Sequence, residues 1–128
     1  MNGWVHTHTK WKTFKHSCGA VANFLPLFAE CGFDIVNPVQ CSAKGMDAQM
    51  IKDAVGDRLV FWGGGIDTQY VLPYGTAQEI RDSVERNIDA FAPGGGFVFA
   101  PVHNVQADVP VKNFMVMLEA YAKHCHYS

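Results

Sequence analysis

No stretch of this chain approaches the roughly 18 to 20 consecutive apolar residues that cross a bilayer, so a membrane is not an expected partner. Charge of one sign is equally lacking. Ten Lys and Arg against twelve Asp and Glu leave a formal charge of −2. That balance offers no basic surface for nucleic acid, and only Lys10, Lys12 and Lys15 cluster. Low-complexity tracts and linkers are missing. The segment from Met1 to His16 is polar and aromatic, without the apolar centre of a secretory signal. A reduced, cytoplasmic setting is therefore expected, with Cys18, Cys31, Cys41 and Cys125 serving as core residues, ligands or nucleophiles.

What is present is a globular composition, 48% apolar and 17% charged over 128 residues. This length suits one domain with a real core and not two. Short β-rich runs alternate with longer helical ones. Strands are expected at Thr13 to His16, Asp34 to Val39, Arg58 to Trp62 and Phe97 to Ala100. Lys15 makes the first of these the weakest. Between them, Val21 to Phe28 carries an apolar face, with Pro26 suited to a first helical turn and Gly32 to a stop. Asp47 can cap a helix running to Val55, and Thr76 with Glu79 forms a T-x-x-E capping box for a helix to about Phe91. Pro110 suits the start of a last helix with Phe114, Met117, Leu118 and Tyr121 facing the core.

Strands alternating with helices imply parallel pairing through right-handed crossovers. Such units make either a small open sheet or half of an eight-fold barrel, whose complete form needs about 250 residues. In both cases reactive groups gather where strands end. The first strand ends in His16-Ser17-Cys18, the second in Asn37, Gln40 and Cys41. The third leads through Gly63-Gly64-Gly65 to Asp67, and the fourth leads to His103 and Asn104.

His16 and Cys18 lie two residues apart, so on an extended segment both side chains share one side. Imidazole and thiolate are preferred zinc ligands, and catalytic zinc sites usually have three protein ligands and one open position. His103 is the best-placed third ligand and Cys41 the second choice. A polar strand end beside a buried cysteine is the plainer alternative. Gly94-Gly95-Gly96 precedes a strand and reads as a turn, whereas Gly63-Gly64-Gly65 fits a close backbone approach better than a phosphate cradle. Asp67 is either a general base or substrate ligand, or a turn former. His6 and His8, like His124, Cys125 and His126 on an expected frayed tail, read as solvated.

Taken together, His16-Ser-Cys-Gly19, Cys31 through Gln40, Gly64-Gly-Ile-Asp-Thr-Gln69 with Leu72 to Thr76, and Ala100-Pro-Val-His-Asn104 resemble the uroporphyrinogen decarboxylase superfamily. That superfamily holds haem-pathway decarboxylases and zinc-dependent methyltransferases that work with corrinoid proteins. The resemblance implies an α/β fold, the C-terminal half of a TIM (β/α)8 barrel with strands five to eight, so that residues 1–128 are one partial domain. A fragment, a split gene product and a truncated gene model remain open.

The methyltransferase branch holds zinc with an H-x-C pair and a later cysteine. His16 and Cys18 match the pair, and the later slot, after Ala100-Pro101 and ahead of Pro110, is His103. The resemblance thus implies zinc on His16, Cys18 and His103. Gln40 and Asp67 would line the substrate pocket and Asn104 would help orient the ligands. Zinc would activate a thiol, or polarise a methyl ether oxygen, for transfer to or from a corrinoid on a partner protein. The decarboxylase branch, in porphyrin synthesis, needs no cofactor and draws its aspartate and arginines from the N-terminal half. A non-catalytic remnant or assembly subunit is the third reading. Half a barrel leaves open edges and a bare apolar face, so an N-terminal half barrel or a homodimer is the expected partner.

Overall fold

Every strand in the computed structural model, which describes residues 1–126, runs in the same direction. After a short helix α1 (Asn2–His8) come β1 (Phe14–His16), a 3-10 turn at Ala22–Phe24, α2 (Leu25–Glu30), β2 (Ile35–Asn37) and α3 (Ala48–Val55). β3 (Val60–Trp62), α4 (Val71–Tyr74), α5 (Ala77–Phe91), β4 (Phe97–Val98) and α6 (Val111–His124) complete the chain. The sheet order is β1-β2-β3-β4, and each neighbouring pair is parallel. Parallel strands that follow one another in chain order, each leading to a helix, make half of a (β/α)8 barrel.

The four strands lie where the sequence places them, though each ladder is shorter than its apolar run. Local bonds take over at the ends. The Leu59 amide bonds back to Val55 O at the end of α3, and Pro38 has no amide to give to the ladder. Caps hold as expected. Asp47 accepts from the Met50 amide at 2.9 Å, and Thr76 and Glu79 satisfy each other's orphan donors.

Alternation along the strands splits the sheet into two faces. Val36, Phe61 and Phe97 share the face under the helices and are buried. There Phe61 and Phe97 both pack against Phe91 of α5, with ring centroids 5.1 Å apart in each pair. Lys15 falls on this same face. Its stem covers apolar surface while its ammonium sits over the rings of Phe28 and Phe33, which explains a lysine inside a strand. The other face carries Phe14, His16, Ile35, Asn37, Val60, Trp62 and Val98, and among the described residues no helix covers it. Phe14 and Trp62 meet edge to face there, yet remain 46% and 40% exposed. In a closed barrel this face points inward.

Helix α1 was not expected from the sequence. It is pinned from outside itself: Asn2 Nδ2 donates to Cys31 O at 2.9 Å, and His6 meets Asp34 at 2.7 Å. Asp34 also accepts from the Thr13 amide at 2.6 Å and from the Thr13 hydroxyl at 3.0 Å. Burial alone would raise the Asp34 pKa. The Thr13 amide and the His6 imidazole outweigh it and bring the value down to about 2. His6 is thus exposed, as expected, and is also a structural partner of Asp34. His124, expected on a frayed tail, ends α6 and sits 3.9 Å from Glu85.

Two outcomes follow from these contacts. The folded chain keeps Asp34 ionised down to about pH 2, whereas an unfolded aspartate protonates near 3.9. The stability it contributes is thus present at neutral pH and lost as pH falls from about 5 through 2, at most about 2 to 3 kcal/mol. Acid titration of the unfolding midpoint should show that loss in the wild type and not in Asp34→Asn. Phe61→Ala removes a fully buried ring and should cost about 3 to 5 kcal/mol in denaturant unfolding, against about 1 kcal/mol for Thr76→Ala at an exposed cap.

Candidate functional site

Parallel strands deliver their C-terminal ends to one edge of the sheet, and His16, Cys18, Asn37 and Gln40 gather there. His16 is the last residue of β1, and Cys18 lies two residues on, both exposed on the uncovered side. His16 Nε2 stands 3.5 Å from Cys18 Sγ. Tetrahedral zinc, with Zn–N near 2.05 Å and Zn–S near 2.3 Å, sets its nitrogen and sulfur ligands about 3.6 Å apart. The pair therefore has the spacing of one edge of a zinc tetrahedron.

Behind the pair lies Asn37, directly across the β1–β2 ladder from His16. Its Oδ1 meets His16 Nδ1 at 2.8 Å, and its Nδ2 donates to Trp62 O at 3.0 Å. Gln40 holds the neighbouring loop. Its Oε1 accepts from the Gly19 amide at 2.9 Å and its Nε2 donates to Gln69 Oε1 at 3.3 Å, so it links the loop after β1 to the loop after β3.

Asp67 is 8% exposed, and donors within the chain engage both carboxylate oxygens. Ser42 Oγ donates to Oδ1 at 3.0 Å, while the Tyr70 and Val71 amides donate to Oδ2 at 2.7 and 3.1 Å. Asp67 thus fastens the start of α4. The glycine run before it is a close approach, as expected. A Cβ on Gly65 would lie 2.5 Å from the Phe99 ring, and one on Gly64 would lie 2.8 Å from Val39 O at a φ of +85°. The run at Gly94-Gly95-Gly96 is the expected turn, with Lys52 Nζ donating to Phe91 O and Gly95 O.

His103 follows the isolated parallel bridge between Ile66 and Pro101, and is half-buried. The structure does not bring it to His16 and Cys18: among the described residues no three His, Cys, Asp or Glu side chains converge closely enough to hold a metal ion. Cys41 stands elsewhere too. It lines a cleft of about 820 Å³ with Asp47, Asp67 and Arg86. Burial, and then the Asp47 carboxylate, push its thiol up to about 11. Asn104 is exposed, and its carbonyl accepts from Gln106 at 3.4 Å.

Two residues that sequence reasoning passed over are buried amides. Asn87 of α5 donates to Gly64 O at 2.9 Å and Gly65 O at 3.2 Å, holding the glycine run in place. Asn113 of α6 donates to Leu72 O at 2.9 Å and reaches Pro73 O and Gly75 O, anchoring α4. An asparagine on the apolar side of an otherwise amphipathic helix was the available signal. Asn37 was seen only as a strand end.

Comparisons with known proteins agree with the fold. Residues 3–124 match the family model described as uroporphyrinogen decarboxylase (URO-D). A curated protein of Psychromonas ingrahamii named uroporphyrinogen decarboxylase is 34% identical over 84 residues, 62% of this chain and 23% of that protein. A solved methyltransferase from Methanosarcina mazei superposes with a TM-score of 0.72 at 20% identity, over 98% of this chain and 35% of its own. This chain spans about a quarter to a third of the proteins it matches. No helix among the described residues is long and apolar enough to cross a membrane. With its four parallel β/α units forming a half barrel, the chain belongs to the uroporphyrinogen decarboxylase family.

Proposed function

We propose that this chain is part of a cytoplasmic enzyme that transfers a methyl group to or from a corrinoid on a partner protein, using zinc held by His16, Cys18 and His103. One observation carries the reading: the 3.5 Å between His16 Nε2 and Cys18 Sγ, the ligand spacing of tetrahedral zinc. When bound, zinc supplies a Lewis acid that activates a substrate thiol or polarises a methyl ether oxygen. The chain's own residues bind and orient. Gln40 keeps the Cys18 loop against the loop of Gln69, and Asp67 holds the opposite wall of the mouth. His103, two residues past the Ile66–Pro101 bridge, is the third ligand of this proposal.

The mouth is completed by an N-terminal half barrel, or in its place by a second copy. Phe14, Ile35, Val60 and Trp62 form the apolar face that this partner covers. The identity shared with the Psychromonas protein favours a second reading, a decarboxylase fragment in porphyrin synthesis, with its carboxylate-handling groups on the other half.

Zinc content separates the two. The chain co-expressed with an N-terminal half should hold about one zinc per complex by elemental analysis. Cys18→Ala should weaken zinc binding by at least about 100-fold, as expected for the loss of a first ligand. Zinc content indifferent to Cys18→Ala would falsify the assignment. A zinc-free complex that decarboxylates a porphyrinogen would establish the second reading. His103→Ala tests the third ligand by itself, since unchanged affinity there with loss in Cys18→Ala keeps the pair and removes His103. Alone, the 14.1 kDa chain should elute as a dimer or larger species on size exclusion.

A further inference from the structure

We infer that Asn37 is a positioning residue: it holds His16 in the tautomer protonated on Nδ1 and so keeps an unprotonated Nε2 facing Cys18. Its purpose rests on the zinc reading above, but its geometry does not.

The hydrogen-bond chain starts at a group with one role only. Trp62 O is a backbone carbonyl, which accepts and cannot donate, and the amide of Asn37 meets it at 3.0 Å. That contact fixes which end of the amide is nitrogen. The oxygen end is then the one that meets His16 Nδ1 at 2.8 Å. An amide oxygen also only accepts, so Nδ1 must carry the proton. In a neutral imidazole this leaves Nε2 with its lone pair, and Nε2 is the atom 3.5 Å from Cys18 Sγ.

Strand register assembles the chain. His16 pairs with Asn37 across β1 and β2, and Trp62 lies one step beyond the Val36–Phe61 pair on β3. Alternation puts all three on the uncovered face. A sheet ladder thus transmits the fixed polarity of one backbone carbonyl, through one amide, to the far nitrogen of an imidazole. The consequence is chemical. With the opposite tautomer an N–H would point at Cys18 and the imidazole would offer no lone pair beside the sulfur. Metal-binding imidazoles commonly donate their other N–H to a carboxylate or carbonyl, and loss of that partner typically costs 10- to 100-fold in affinity.

The test reads the tautomer directly. In the full chain with ¹⁵N-labelled histidine, at a pH well above the ordinary histidine range, long-range ¹H–¹⁵N correlations assign the protonated nitrogen of His16. The wild type should carry the proton on Nδ1. Asn37→Leu should admit the Nε2-protonated form and weaken zinc binding about 10- to 100-fold, read by competition with a chromogenic chelator. Asn37→Asp gives up the donor to Trp62 O but still offers only acceptors to Nδ1, so it should keep the proton on Nδ1, which loss of local packing would not do. A wild-type His16 protonated on Nε2 overturns the inference. So does Asn37→Leu with tautomer and affinity unchanged, or Asn37→Asp protonated on Nε2. Should Asn37→Leu fail to fold, the wild type and Asn37→Asp still decide. Should the wild type bind no zinc while its tautomer depends on Asn37, the positioning role stands and the metal reading falls.

Discussion

Parallel pairing in chain order is the constraint on which this molecule depends. Because β1, β2, β3 and β4 all point one way, every loop that follows a strand emerges at the same edge. Because each strand alternates, one register settles two questions together: Val36, Phe61 and Phe97 go under the helices, and His16, Asn37 and Trp62 go to the bare face. A slip of one residue between β1 and β2 would break the His16–Asn37 contact and turn Lys15 onto the open side. Burial of Phe61 against Phe91 holds β3 in the orientation that sends Trp62 to the bare face.

The mouth is held together mainly by amides. Gln40 reaches the Gly19 amide, Asn37 reaches Trp62 O, Asn87 reaches Gly64 O, and Asn113 reaches Leu72 O. A side-chain amide both donates and accepts, so it can join two loops without placing a charge in a half-buried setting, where desolvation of an ion is expensive. Asp67 is the charged exception, and its cost is offset by two backbone amides and a hydroxyl. Loops fixed in this way present His16 and Cys18 side by side.

Most of this scaffold was legible in the sequence because its signals are local. Thr76 with Glu79, Asp47, Pro110 and the apolar runs of the strands each act within a few residues, and each element formed where its signal lay. The His16–Cys18 pair was legible for the same reason, since two residues on an extended chain share a side. What escaped depends on partners far along the chain. Helix α1 owes its place to Asp34 and to Cys31 O, and α4, a single turn containing Pro73, owes its place to Asp67 and Asn113. Asn37 bears on His16 across 21 positions of sequence, a distance that only the register closes. Cys41 looked like a ligand from its strand end, yet the loop folds it into the cleft beside Asp47 and Arg86.

The separation of His103 from the pair has a geometric cause. β1 and β4 are the two outer strands, three strand spacings apart, or about 14 Å along the sheet. The Ile66–Pro101 bridge, with the Val102 amide on Ile66 O at 3.0 Å, carries the β3–β4 pairing past the strand ends to within one residue of His103. The three spacings therefore persist up to His103, to be spanned by side chains approaching from both ends. In a closed eight-strand wall the chord across the mouth is shorter than the path along the sheet, because strand tilt and twist curl the sheet toward its own axis. On the proposed reading, whatever covers Phe14 and Trp62 therefore does more than hide apolar surface. It sets the curvature, and the curvature decides whether the third ligand arrives.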